Sequence, residues 1–242
     1  MKNSLTPEQF ELFGLSYGND LAGSAAAADP ASFAARVPPS WLEVVAHPEA
    51  AAIRALWEPA AAQLPRFVEY LARSVAGAAI FEAHGFPVLA IATPDWNEDD
   101  CELGPGFCWM GTPTASERIE RLVAEVGPIP ASIEQLWRVA NFVDAKEHST
   151  VCSLDPATRG KTEAPVVLPP LPGVDEPEGA LECLQVAVVN NQMVTCMTRA
   201  PGESAWRDHL VRRFRRTDQI SRLVRKQLDD LLTDWTFSEW SP

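Results

Sequence analysis

The stretch Ser116-Glu-Arg-Ile-Glu-Arg-Leu-Val-Ala-Glu-Val-Gly-Pro-Ile-Pro-Ala-Ser-Ile-Glu-Gln-Leu-Trp-Arg-Val-Ala-Asn141 decides how this chain is read. Its first half sets Ile119, Leu122, Val123 and Val126 on one face of a helix, at the spacing of a one-sided apolar stripe. Just ahead, Thr114-Ala-Ser-Glu117 has the form of a capping box, in which hydroxyl and carboxylate side chains satisfy the first free amides of the helix. Gly127-Pro128 stops the helix, because glycine tolerates the left-handed backbone of a helix end and proline cannot continue the ladder. Pro130 suits the opening turn of a second helix, in which Ile133, Leu136, Trp137 and Ala140 repeat the spacing. Two short helices joined by Gly-Pro-Ile-Pro form a compact corner.

Downstream, residues 149–179 are rich in Pro, Gly, Asp and Glu and read as a long loop, with Val166-Val-Leu168 its one plausible strand. Leu181 to Val189 and Met193 to Thr198 are β-rich runs around Asn190-Asn191, a hairpin signal. From Ser204 to Leu232 the spacing of Trp206, Leu210 and Phe214, then of Ile220, Leu223, Val224, Leu228 and Leu231, predicts a helical tail.

Upstream, helix signals dominate. Thr6-Pro7-Glu8-Gln9 and Asp29-Pro30 look like helix starts, and a break follows at Val37-Pro38-Pro39. Trp41, Leu42 and Val45 predict one short apolar face, and Ile53, Leu56 and Trp57 another. Leu64, Phe67, Val68, Leu71 and Val75 predict a third. Phe86 to Thr93 and Gly106 to Thr112 read as strands joined by an acidic connection, Pro94-Asp95-Trp96-Asn97-Glu98-Asp99-Asp100-Cys101-Glu102. The expected architecture is α+β, an N-terminal helical layer plus a mostly antiparallel sheet flanked by helices. Residues 1–112 and 113–242 are expected to form one compact unit, since a linker at Pro113 is too short to separate them.

With 242 residues and 46% hydrophobic content the chain can bury a core without covalent staples. The first twelve residues carry Glu8 and Glu11 and do not read as a secretory signal. The most apolar stretch, 74–93, is broken by Glu82, His84, Gly85 and Pro87, which argues against a membrane span. Five cysteines without a Cys-x-x-Cys pair fit a reducing, cytoplasmic setting, and the bias towards arginine and alanine suggests a bacterial source. Net charge is −13, yet residues 199–226 hold nine cations against three anions; that segment is +6 and the remainder −19. An acidic body repels phosphate backbones and favours encounter with basic partners.

No local pattern carries chemistry. Asp95-x-Asn97-x-Asp99 opens like a calcium loop, but Asp100 stands where glycine is needed and Gly106 where the bidentate Glu belongs. Cysteines and histidines lie without short ligand spacing, so no metal centre, cofactor or catalytic residue is assigned. Phosphate-binding, nucleophile-elbow and zinc-protease motifs are missing. The arginines at 207, 212, 213, 215, 216, 222 and 225, with Lys226, suit nucleic acid, although an apolar stripe runs through the same segment. An enzyme reading would rest on His84, Cys101 and Asp99. The favoured surface is the acidic connection, where Asp95, Glu98, Asp99, Asp100 and Glu102 would attract a basic protein partner and Trp96 would anchor it; Trp109 reads as a core residue.

The segment 116–141 resembles the N-terminal signature of the SUKH superfamily, the fold of Smi/Knr-type proteins. In that family a helix ends at Gly, an Ile/Leu-Pro corner follows, and the second helix runs through an aromatic towards Asn or Gly. Here those positions are Gly127, Ile129-Pro130, Trp137 and Asn141. Many of its members are immunity proteins that neutralise bacterial toxins. The resemblance thus implies a non-catalytic binding role towards a toxin domain and carries over no catalytic residue.

Overall fold

In the helical layer, proline punctuates the chain and apolar spacing orients it. The computed structural model describes residues 35–83, 86–93, 106–145, 166–168, 181–189, 193–214 and 228–237, and along parts of the later strands it describes the backbone path. Helix α1 (Pro39–Ala46) and helix α3 (Pro65–Ser74) each begin on proline, where a missing N–H costs nothing. Helix α2 (Ala50–Leu56) and a 3₁₀ turn (Glu58–Ala60) lie between them. Ile53, Leu56 and Trp57 are buried, as are Leu64, Phe67, Val68, Leu71 and Val75, so two of the three expected faces hold. On α1 the inward stripe is Trp41 and Val44, with Val45 packed beside them, and Leu42 is 56% exposed. Leu42 lies off the i, i+3, i+4 row that starts at Trp41.

The expected α+β class is what forms, with the strands divided between two four-stranded sheets. The first runs in chain order through β1 (Gly77–Ala83), β2 (Phe86–Thr93), β3 (Gly106–Gly111) and β4 (Val143–Ala145), every pair antiparallel. The second runs through β5 (Val166–Leu168), β6 (Leu181–Val189), β7 (Met193–Arg199) and β8 (Arg207–Phe214), again antiparallel throughout. β8 replaces the first part of the expected helical tail. The stripe Trp206, Leu210, Phe214 advances by four residues, an even number, so it fits the two-residue period of a strand as well as a helix. Pairing with β7 decides between them. A helix, α6 (Leu228–Phe237), follows only later.

Helices α4 (Ser116–Val126) and α5 (Ala131–Val139) form the expected corner. Ile119, Leu122, Ile133, Leu136, Trp137 and Ala140 are buried. The capping box does not form: α4 starts one residue late behind Ala115, without a side-chain cap, and the buried Thr114 hydroxyl has no partner. Tertiary structure claims that segment instead. Thr114 N–H donates to the Trp137 carbonyl at 2.8 Å, Asn141 N–H to Thr112 at 2.9 Å, and Gly111 N–H to Phe142 at 3.1 Å. The exit of β3 is thereby stitched to the end of α5.

One apolar cluster joins these pieces. It takes Trp41, Trp57 and Phe67 from the helical layer, Leu89, Ile91, Cys108 and Met110 from the inner face of the first sheet, and Leu184 and Met197 from the second. Leu228 and Leu232 of α6 complete it, and α6 packs against α3, α5, β4 and β8. Among the described residues no helix is long and apolar enough to cross a membrane.

Candidate functional site

The sequence-predicted site hangs from a well-placed pair of strand ends. In β2 and β3, Thr93 lies opposite Gly106, so the connection 94–105 leaves and re-enters the same end of the first sheet on neighbouring strands. Adjacent strands lie roughly 4.8 Å apart, so the base of this connection is narrow. Asp95, Trp96, Glu98, Asp99, Asp100 and Glu102 themselves lie outside the described residues, as do Asn97, Cys101, His84 and the Asn190-Asn191 turn. So do the expected helix starts at Thr6 and Asp29.

Further along the same strands, the outer face of the first sheet is apolar. Ala79, Ala90 and Trp109 occupy one row across β1, β2 and β3, and Phe81 stands in the next row opposite Val88. The Phe81 and Trp109 rings meet at 5.4 Å between centroids, tilted by 59°. Two aromatics reaching towards each other from flanking strands shield the alanine between them, and Ala90 is fully buried. Trp109 is therefore half-buried on this outer face rather than part of the main core, while Cys108 and Met110 beside it point inward.

At the helix corner, residues distant in sequence form a clasp that sequence reading missed. Gly127 takes a φ of 95°, and a Cβ there would stand 2.6 Å from the Ser204 carbonyl oxygen. The Val126 carbonyl, left without a helical partner at the end of α4, accepts from the Trp206 indole N–H at 2.9 Å and from Arg199 Nη1 at 3.1 Å. Arg199 also stacks over the Trp206 ring at 4.2 Å and pairs with Glu182 at 2.6 Å. The Trp206 backbone N–H donates to the Pro128 carbonyl. Glu182 and Arg199 are directly opposed on β6 and β7, so the hairpin register sets this ion pair. A charged side chain at each of two mutually opposite positions was the one available sequence signal, and it becomes readable only once the register is known.

The arginine-rich segment is dispersed. Arg199 belongs to the clasp, Arg207 bonds to Glu203 at 2.7 Å, Arg212 and Arg213 stand on β8, and the remainder lie outside the described residues. The Arg207 guanidinium, with help from the Ala200 N–H, holds the Glu203 carboxyl below its ordinary value. Among residues whose side chains are described, no three His, Cys, Asp or Glu gather as a metal site requires. Comparison of the chain with protein families, with curated proteins and with solved structures finds no match.

Proposed function

We propose that this chain is a non-catalytic binding protein of the immunity type, which neutralises a basic toxin domain by occupying it. The reading rests on the helix corner of residues 116–141. The positions that resemble the SUKH signature are the ones on which the corner depends: Gly127 takes the left-handed backbone, Trp137 is buried, and Asn141 ties α5 to the exit of β3. The charge of −13 supports a basic partner by steering it electrostatically. The proposed docking surface is the acidic connection, with Asp95, Glu98, Asp99, Asp100 and Glu102 attracting the partner and Trp96 as anchor.

Co-expression with the products of neighbouring genes tests the role: a toxic product should lose its toxicity and co-purify with this chain. If none is toxic or bound, the immunity reading fails. With a partner in hand, reversing the charge of Asp99 and Asp100 should slow association and flatten its salt dependence. Trp96→Ala should speed dissociation, weakening affinity on the order of thirtyfold. Unchanged rates in both variants, with the fold intact, would place the interface elsewhere.

A further inference from the structure

Strand β1 is an edge of the first sheet and, among the described strands, pairs with β2 alone. One hydrogen bond fixes which of its residues turn their backbone groups outward. Gly111 N–H donates to the Phe142 carbonyl on the β4 side of β3, so Met110 and Cys108, one and three residues before it, turn theirs to β2. The same alternation on β2 turns Leu89 and Ile91 to β3, and Val88, Ala90 and Ala92 to β1. Ala79 and Phe81, opposite Ala90 and Val88, therefore bond to β2. Ala78 and Ile80 turn their N–H and carbonyl groups to the free edge, where neither has a partner among the described residues. Two details agree: the Ala92 carbonyl does reach the β1 side, accepting from Ala76 N–H at 2.8 Å, and Pro87, which has no N–H, faces β3 past its last pair, Val88 with Gly111.

This edge is thinly covered. On β2 every residue after Phe86 is buried, whereas Ala78, Ala79, Ile80 and Phe81 of β1 are each half-buried. Helix α1 packs against β1, and its buried Trp41 and Val44 join the cluster that holds Leu89 and Ile91, so the helix sits on the inner side. Native sheet edges are blunted by lysine, proline or inward charges; Gly77-Ala-Ala-Ile-Phe81 carries none of these.

The strand is complementary to itself. Two identical strands can pair antiparallel about a two-fold axis, and with that axis at Ile80 each Ile80 lies opposite its counterpart and each Phe81 opposite an Ala79. The outward groups of Ile80 then form a hydrogen-bonded pair across the axis. Each phenylalanine meets a small residue rather than the other ring, and the outer row Trp109, Ala90, Ala79 continues into the partner's Phe81 and Val88. The chain carries a net charge of −13, yet residues 77–81 are neutral, and Glu82 falls opposite Ala78 in this register. No like-charged pair is set face to face.

We propose that β1 is a homodimer interface, at which two copies of the chain join edge to edge, antiparallel about an axis at Ile80, into one continuous sheet. This interface is independent of the proposed toxin binding.

Light scattering on the full chain during size-exclusion chromatography tests it. The measured mass should reach that of two chains as concentration rises through the micromolar range, and salt should favour the dimer by screening the negative charge. Ala78→Pro removes an edge-facing donor and spares the β1–β2 bonds, so it should weaken dimerisation at least tenfold with the circular dichroism unchanged. Ile80→Cys should be cross-linked to its counterpart by a short bismaleimide, because residues in a hydrogen-bonded pair stand about 5.5 Å apart. Ala78→Cys should not, because the two copies of position 78 are offset by four residues, roughly 13 Å. Amide exchange on the unaltered chain bypasses any variant that fails to fold: Ala78 and Ile80 should be protected in the dimer and lose that protection at least tenfold on dilution, whereas Ala79 and Phe81 stay protected. A single-chain mass at every concentration, a dimer undisturbed by Ala78→Pro, cross-linking at position 78 as strong as at 80, or rapid exchange of Ala78 and Ile80 at the highest concentration would overturn the proposal.

Discussion

Asp229 Oδ1 accepts a hydrogen bond from the backbone N–H of Phe67 at 2.9 Å, across 162 residues of chain. Its other oxygen accepts from Arg66 N–H at 3.1 Å, so one carboxylate from α6 caps the start of α3, which has no side-chain cap of its own. Arg66 also pairs with Asp230. A negative charge at a helix N-terminus gains from both the free amides and the helix dipole. Asp229→Ala should lower stability by about 1–2 kcal/mol in urea unfolding, and Asp229→Asn by less, since the amide oxygen can still accept. Equal losses in the two variants would mean that charge rather than hydrogen bonding carries the effect.

Trp206 is expected to matter in two separable ways. It is 4% exposed in the core and also donates its indole N–H to Val126. Trp206→Phe keeps most of the buried area and removes the donor, with an expected cost of about 1 kcal/mol. Trp206→Ala removes both and should cost about 3–5 kcal/mol. If the phenylalanine variant is as unstable as the alanine variant, the hydrogen bond outweighs the packing.

Glu69 gives a test by pH. Hydrogen bonds from Arg73 first and Arg54 second hold its carboxyl below the ordinary value. A depressed native pKa means the favourable interaction is complete above the unfolded value and is lost as pH falls through the lower native one. The group is exposed, so the effect on total stability should be small. Carboxyl-detected NMR should show Glu69 titrating below a peptide reference. Arg73→Ala and Arg54→Ala should each move it back towards that reference, since both arginines bond to the carboxylate; no movement in either variant would contradict the geometry.

How much of this was legible depended on how local the signal was. The α4–α5 corner could be read because apolar spacing and the Gly-Pro stop act within a few residues. The β6–β7 hairpin was legible for the same reason. β1 was not, since Gly77-Ala-Ala-Ile-Phe-Glu-Ala carries little β-branched or aromatic pattern, and β4 is only three residues long. β8 was misread because an advance of four residues suits both periods. At the acidic connection the flanking strands were legible, and Thr93 does face Gly106. The clasp of Glu182, Arg199, Trp206 and Val126 was not, because its partners meet only through the packing of a sheet on a helix end.

At Gly111 the chain passes too close to its neighbours to admit a side chain. A Cβ built there would stand 1.8 Å from Asn141 Oδ1 and 2.5 Å from the Phe142 ring. The Asn141 N–H bonds to Thr112 and the Gly111 N–H to the Phe142 carbonyl, so the backbone stitch between β3 and α5 holds both neighbours close and relief has to come from turning the Asn141 and Phe142 side chains. Gly111→Ala would ordinarily stabilise a chain slightly by restricting its unfolded state. Here overpacking should dominate, with a net loss of about 1–3 kcal/mol. Asn141→Ala removes the nearer obstacle but leaves the Phe142 ring, so the double variant Gly111→Ala/Asn141→Ala should lose less than the two single losses summed. Additive losses in urea unfolding would show that Asn141 is not what the new methyl group meets.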